Sequence, residues 1–387
     1  MSYRVVIYSP DHHITYDLET LNNIGVGGGI TNRVRIAHGL VKNGSEVQLF
    51  VNCPEDKISG GVNYTHFSRF SYNQNCDIFI ASTSGGNLDL GDLRINEVKA
   101  RIKILMVHGI NPPKNTPLES FDFLYVPSNF IRRWVSDHWP IIKKKIFTCH
   151  LGINRGLYQK RNLKRNKYRI MYSGHQMKGL DSAIDVLGIL RKIDPRFSLW
   201  VFGSPMLWGE NELNLDDGEG INYLGTIGQK ALARMAQRCR YSLFLQDIPE
   251  AFGLSVIESM QAGCIPIASP VGALNETIIH GFNGLIVQGN HLDHKVQQSA
   301  AEAILELSAN QSFLDYLSNN GKQSVNDWQT IAMTYTSHWS LFLDPANIKS
   351  SQISECPECA GRMYQLFDGY HCEDCGNLIR NFEVWKL

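Results

Sequence analysis

Hydrophobic positions fall along the chain in two alternating textures. Short runs rich in β-branched and aromatic residues, bounded by polar or Gly/Pro punctuation, occur at RVVIY (4–8), EVQLFV (46–51), DIFIA (77–81), KILMVH (103–108), FLYVPS (123–128) and KIFTCH (145–150). Near-continuous apolar runs of this length predict strands buried on both faces. Between the first two, Ile30, Val34, Ala37 and Val41 recur at i, i+4, i+7 and i+11, one face of a helix, with Asn43-Gly44 as its stop. Strand, Gly-rich loop, helix and strand make a βαβ unit with a parallel sheet. The polar, basic stretch NRGLYQKRNLKRNKY (154–168) interrupts this rhythm and reads as a crossing between domains. The alternation then restarts with strands at 169–174, 197–203, 221–225, 241–246 and 265–269. Helices are expected through 180–192, near 229–238, from about 254, and across 296–343. The reading is α/β, with two Rossmann-like doubly wound domains at 1–153 and 154–325. A helix at 326–345 returns to the first domain, and a small module occupies 346–387. Paired domains of this kind bind ligands at the cleft between them.

Composition narrows the class. The 387 residues carry 37 basic and 37 acidic side chains, a formal net charge of zero, which disfavours a dedicated nucleic-acid binder. A hydrophobic fraction of 43% excludes wholesale disorder. No apolar run approaches the ~18 residues of a membrane span, and the N-terminus has no secretory core. Five of the nine cysteines are scattered, as ordinary reduced thiols are, so the expected compartment is cytoplasmic, at most peripheral at the inner membrane surface. Lys143, Lys144 and Lys145, with Arg132, Arg133, Trp134 and Trp139 near them, offer a basic-aromatic face for weak membrane-surface or protein contact.

Chemistry concentrates in DIPEAFGLSVIESMQAGCIPIAS (247–269). Glu250 falls on a loop after a strand. Gly253 lets the backbone approach a ligand, and Leu254 and Ser255 open a helix whose free N–H groups favour an anion. Glu258, a turn further on, can accept two hydrogen bonds from a vicinal diol such as a ribose. A diphosphate at the helix start with a diol on Glu258 describes a nucleotide, which leaves Glu250 near whatever the distal phosphate carries. Lys178, in HQMKG, is a point charge suited to a phosphate.

Glu250-x7-Glu258 within EAFGLSVIESMQAGCIPIAS closely resembles the signature of family 4 glycosyltransferases. GVGGGITNRVRIAHGLVKNGSEVQLF, VPSNFIRRW, HLGIN, YSGHQMKGLDSAIDVL and GALNETIIHGFNGLIV resemble further stretches of that family in order, over roughly residues 1–345. The resemblance implies a retaining enzyme of the GT-B fold, an acceptor domain (1–153) and a nucleotide-sugar donor domain (154–325) facing across a cleft, that moves a sugar from a nucleoside diphosphate-sugar to a hydroxyl acceptor without an active-site metal. It implies donor-phosphate contacts for Gly27 and Gly28, a sugar-contacting role for His108 and Glu250, and donor binding by Gly174, His175 and Lys178. The family has a Gly-Arg dipeptide where this chain has Gly174-His175, so a second phosphate cation is in question. A catalytically weak binding subunit and a nucleotide-sugar epimerase are the competing classes.

The tail carries Cys356-x2-Cys359-x12-Cys372-x2-Cys375. Two C-x-x-C knuckles suit a closed tetrahedral ion and resemble a zinc ribbon, with structural zinc as the expected occupant and a rubredoxin-like iron site as the alternative. His371 is read as a neighbour, not a ligand.

Overall fold

A computed structural model describes residues 2–83, 89–112, 116–140, 145–159, 163–211, 218–344 and 352–386. Lys143 and Lys144, and Asp216-Asp217 (expected in an exposed polar loop), lie outside the described residues. The chain forms two compact units, one of Met1–Leu18, Gly27–Gly152 and Asn326–Leu387, the other of Glu19–Val26 and Ile153–Val325.

The N-terminal unit is built on β1 (Arg4–Tyr8), β2 (Glu46–Val51), β3 (Lys57–Ser59), β4 (Val62–His66), β5 (Asn75–Ser82), β6 (Lys99–Met106), β7 (Phe123–Val126) and β8 (Ile146–Thr148). Their order in the sheet is β3-β4-β2-β1-β5-β6-β7-β8, all neighbours parallel except β3 with β4. Helix α1 (Leu18–Asn23) belongs, beyond its first residue, to the other unit, while α2 (Gly28–Lys42) and α3 (Asn129–His138) belong to this one. Val5, Val6 and Ile7 in β1 are buried and paired on both sides, as their unbroken apolar run requires. The β3–β4 hairpin, which the hydrophobic runs did not foretell, turns at Gly60 and Gly61, with φ of +54° and +82°. Two consecutive positive φ values suit glycine pairs in tight hairpins.

The second unit has six parallel strands, β9 (Arg169–Ser173), β10 (Ser198–Phe202), β11 (Ile221–Tyr223), β12 (Tyr241–Phe244), β13 (Ile265–Ala268) and β14 (Leu285–Ile286), ordered β11-β10-β9-β12-β13-β14. Helices α4 (Leu180–Ile193), α5 (Gln229–Ala236), α6 (Leu254–Ala262), α7 (Leu274–Thr277), α8 (His294–Ala309) and α9 (Gln311–Gln323) belong to it. The helical stretch expected at 296–343 is thus divided, because α10 (Trp328–Leu343) belongs to the N-terminal unit. It packs on α2 so closely that a Cβ on Gly39 would lie 2.8 Å from the Trp328 carbonyl oxygen.

The tail forms an antiparallel sheet of β15 (Gln352–Glu355), β16 (Arg362–Gln365), β17 (Gly369–Cys372) and β18 (Leu378–Arg380). It docks beside β8, the edge strand, where a Cβ on Gly376 would lie 2.3 Å from the Ile146 carbonyl oxygen. The Asn129 side chain donates to the Leu378 carbonyl at 2.7 Å and accepts from the Leu378 N–H at 3.0 Å, the two bonds a neighbouring strand would make. His371 stacks on Phe147 with ring centres 4.7 Å apart, and Phe147 stacks in turn on His338 at 3.8 Å. Beneath them Asp368 accepts from His371 Nε2 at 2.8 Å, Thr334 Oγ1 at 3.1 Å and the Cys149 thiol at 3.5 Å.

This docking engages part of the basic-aromatic stretch expected near 132–145. Arg132 is only 5% exposed and forms an ion pair with Glu358, while Arg133 reaches the other oxygen of the same carboxylate. The indole N–H groups of Trp134 and Trp139 both donate to the Ile110 carbonyl, and Lys145 donates to the carbonyls of Glu119 and Phe121. No helix among the described residues is long and apolar enough to cross a membrane.

Three histidines of this unit are kept neutral by burial: His38 falls to about 4, His108 to about 3, and His338 well below its ordinary value. Unfolding frees each to bind a proton below about pH 6.5, so the unfolded state gains protons and stability drops as pH falls from there toward the folded values. Each contributes about 1 kcal/mol of loss per pH unit in that window. Urea midpoints are therefore expected to fall between pH 7 and 5, with a shallower slope in His38→Asn. Equal slopes in the two proteins would refute the assignment for His38.

Candidate functional site

In the second unit, chemistry gathers in the loops after the carboxyl ends of β9, β12 and β10, where open parallel sheets bind ligands. The β9 strand leads through Gly174-His175-Gln176-Met177-Lys178 into Gly179, the N-cap of α4. Gly179 adopts φ +85°, and a Cβ there would lie 1.7 Å from the Leu245 carbonyl oxygen. Only glycine fits, and this contact brings the Lys178 turn against the chain leaving β12. Lys178 Nζ and Glu250 Oε1 are consequently 2.6 Å apart, both side chains about one quarter exposed. Gln246 Nε2 also donates to Glu250 Oε1, at 3.4 Å, and the Glu250 backbone pairs with Gly272 and Ala273. The carboxylate is thus held by its own strand exit and by the cation of the neighbouring loop.

Gly253 caps α6 in the left-handed region, φ +91°, with no side chain bonding its first N–H groups. Leu254 and Ser255 follow as the first helical residues, an end with partial positive charge. Glu258, half-buried on the same helix, accepts from Gln229 Nε2 at 2.9 Å at the start of α5. Lys178, Glu250 and the α6 start therefore come together on these loops, with Glu258 further along the same helix.

His175, the candidate second cation, is packed into the protein. It is 6% exposed, stacks flat on Trp208 at 4.0 Å, and accepts the Met177 N–H on Nδ1. Burial pushes its pKa below the ordinary value, the nearby Lys178 adding to that and Glu210 opposing it, so the ring is neutral at pH 7. Gly174 contributes its N–H to the Phe202 carbonyl. A His-centred chain, Ser182 Oγ to His291 Nδ1 at 2.8 Å and His291 Nε2 to Asp247 at 3.5 Å, resembles a nucleophilic triad. Its serine is fully buried in α4, so the contact pins the 288–293 loop and performs no chemistry.

In the N-terminal unit, His108 stands two residues beyond β6 and not at the end of a strand running to 108. Its Nε2 is buried without a hydrogen-bond partner. Behind it lies a network absent from the sequence reading. Arg33, wholly buried on α2, bonds the Tyr16 hydroxyl and pairs with Asp11 at 3.0 Å. Arg33 and Asp11 are 22 positions apart and joined through a long loop, so no spacing rule links them. Gly27 is the N-cap of α2 in ordinary extended geometry, φ −66°, and Gly28 begins the helix. The strict glycine requirement lies at Gly25, in the other unit, with φ +106° and a would-be Cβ 2.6 Å from the Ile227 carbonyl oxygen.

In the tail, Cys356, Cys359, Cys372 and Cys375 place their sulfurs within 4.8 Å of one another. The pairs Cys356–Cys375 and Cys359–Cys372 stand at 3.7 and 3.5 Å, too long for disulfides. Metal–sulfur bonds of 2.3 Å in a tetrahedron give sulfur–sulfur edges of about 3.8 Å, so the four thiols fit one such ion. His371 turns away, to Asp368.

Residues 157–324 match the family described as Glycosyl transferases group 1. An uncharacterized glycosyltransferase of Methanocaldococcus jannaschii is 32% identical over 148 residues, 38% of this chain and 39% of that protein. A D-inositol 3-phosphate glycosyltransferase of Pseudarthrobacter chlorophenolicus is 26% identical over 132 residues, 32% of this chain and 31% of that protein. The chain therefore matches less than half the length of these curated relatives. Among solved structures, sucrose-phosphate synthase of Thermosynechococcus elongatus superposes with a TM-score of 0.63 at 16% identity, covering 87% of this chain and 99% of that one. Anabaena HepE in complex with UDP-glucose gives a TM-score of 0.60 at 13% identity over 88% of this chain and 100% of that one. The fold is the α/β GT-B type, and residues 157–324, within the second unit, match the group 1 glycosyltransferase family.

Proposed function

We propose that the chain is a retaining glycosyltransferase that moves a sugar from a nucleoside diphosphate-sugar to a hydroxyl acceptor. The observation that carries this is the Lys178–Glu250 pair beside the start of α6, within the segment matched by the glycosyltransferase family. Lys178 and the N–H groups at Gly253, Leu254 and Ser255 hold the diphosphate and stabilise it as it leaves. Glu258 takes the ribose hydroxyls, exchanging its bond from Gln229. Glu250 orients the sugar, and the sugar contact of His108 and the donor-phosphate contacts of Gly27 and Gly28 are carried over from the family resemblance. In transfer with retention, the acceptor oxygen bonds the anomeric carbon on the face the diphosphate leaves, and the acceptor proton passes to the departing phosphate oxygen. No protein nucleophile is required. Zinc is the ion assigned to the four cysteines, in a structural role, and the compartment is the cytoplasm. The competing reading, a catalytically weak binding subunit, draws on the neutral His175.

Incubation with UDP-, GDP- and ADP-sugars, following nucleoside diphosphate release, tests the proposal. One donor is expected to be consumed, faster with an acceptor present and not by Glu258→Ala, and the product should keep the anomeric configuration. Silence across the panel, with no thermal shift by any nucleotide, would refute it.

A further inference from the structure

Cations collect at the amino-terminal ends of the second sheet, opposite the loops that carry Lys178 and Glu250. Neighbouring strands there run in the order β9-β12-β13. Arg169 opens β9, Arg238 and Arg240 precede β12, and Gly263 precedes β13. A Cβ on Gly263 would lie 2.7 Å from Arg165 Nη2 and 3.2 Å from Lys322 Nζ, so a guanidinium and an ammonium flank the space this glycine leaves. Helix C-termini attract cations, which accounts for Arg165. It donates to the carbonyls of Cys239, Ala262 and Gly263 where α6 ends. Arg169 lies 3.8 Å over the Trp200 ring. Arg238, Arg240 and Lys322 have neither an ion pair nor a side-chain hydrogen bond among the described residues. Burial and the neighbouring Arg165 pull both Lys322 and Arg240 below their ordinary values. Asp315, the carboxylate that opposes this, is exposed and accepts from Gln311 Nε2 at 2.8 Å. Half-buried like charges with so little compensation are costly until an anion joins them.

We infer that this edge binds a phosphomonoester or pyrophosphate group, taken by Lys322 and Arg240 beside Gly263, with Arg238 extending the site. Such a group presents several acceptor oxygens at once, to a fork on one side and a point charge on another, and it carries enough charge to meet more than one cation. The site shares no residue with the donor loops and does not depend on the transferase reading. The phosphate comes either from a soluble compound or from a lipid headgroup, one chemistry with two sources.

The experiment is acetylation of the full-length, metal-loaded protein by acetic anhydride, followed lysine by lysine by mass spectrometry. Inorganic pyrophosphate is the soluble probe, and sodium chloride matched for ionic strength is the reference. Lys178 reports the donor loops separately. Pyrophosphate is expected to slow acetylation of Lys322. Arg240→Gln, which removes no hydrogen bond, should raise the half-protecting concentration about tenfold, the worth of one charge-assisted contact. Calorimetry repeats the test without labelling. Lys178→Ala, stripped of its donor-loop cation, should keep a pyrophosphate site that the double variant with Lys322→Gln lacks. Phosphatidylcholine vesicles with and without phosphatidic acid separate the sources. Protection of Lys322 only when phosphatidic acid is present assigns the headgroup, and protection by pyrophosphate but by neither vesicle assigns a soluble compound. Equal Lys322 rates in pyrophosphate, phosphatidic acid vesicles and matched chloride would overturn the inference. So would protection that Arg240→Gln leaves unchanged, or the same pyrophosphate isotherm for the single and double variants.

Discussion

Lys178→Ala is expected to lower donor turnover by about 10²–10³-fold, the usual loss when one preorganised group facing a developing charge is removed. The departing diphosphate gains charge in the transition state, and the neighbouring His175 ring, neutral and stacked on Trp208, contributes no compensating cation. Arginine at 178 should restore only part of the rate, since a compact ammonium fits the 2.6 Å contact to Glu250 better than a planar fork. Glu250 supplies a sharper test. It occupies the cation before substrate arrives, so Glu250→Gln should tighten binding of free UDP while lowering transfer, opposite signs on binding and rate. Steady-state release of nucleoside diphosphate and calorimetric UDP binding measure the two. A loss under tenfold in Lys178→Ala, or weaker UDP binding in Glu250→Gln, would remove this pair from the chemistry.

The second large effect is expected from the metal. Stripping it with a strong chelator, or replacing Cys356 and Cys372 by serine, should unfold the tail sheet, because so small a module has too little core to persist alone. The damage should not stop there. Arg132, 5% exposed, would lose both Glu358 and the tail's cover over it. Asp368 would leave Thr334 and Cys149 behind, and the edge of β8 would be bare. Calorimetry should show the transition of the N-terminal unit moving down by several degrees while that of the second unit, identified by its response to nucleotide, stays in place. Hydrogen exchange should rise first in β8 and α3. Unchanged exchange there, after metal loss verified by elemental analysis, would show that the tail is merely attached.

How much of this could be read in advance follows from the range of each interaction. The buried strands were legible because runs such as Val5-Val6-Ile7 have no polar face to give to solvent, and α2 because its apolar residues keep helical spacing. The β3–β4 hairpin was missed although Gly60-Gly61 signals it, since KIS and VNYTH are short and carry few apolar residues. Lys178 and Glu250 were each named from local motifs, yet their pairing across 72 positions depends on the Gly179–Leu245 approach, which no spacing encodes. Arg33 flanks the apolar stripe of α2, but nothing local marked a charged residue there for burial, and only the loop carrying Asp11 and Tyr16 explains it. The four cysteines were legible as a set because ligand spacing is local. That their sheet would dock on β8 was not, because the partners there, Asn129 with Leu378 and Arg132 with Glu358, lie well over 200 positions apart.

That distance has a kinetic side. Ile146 leaves the ribosome some 230 residues before Gly376, the residue that closes over it (376 − 146). At ordinary elongation rates the edge of the eight-stranded sheet then waits on the order of 10–50 s for its cover. Most of the second unit, Ile153–Val325, is synthesised in that interval and can fold on its own contacts, while the first waits for α10 and the four-cysteine tail. An unpaired strand edge is a template for association with other chains. Yield of the folded protein should therefore depend on metal supply during translation, and metal added after synthesis should rescue only the chains that have not yet aggregated.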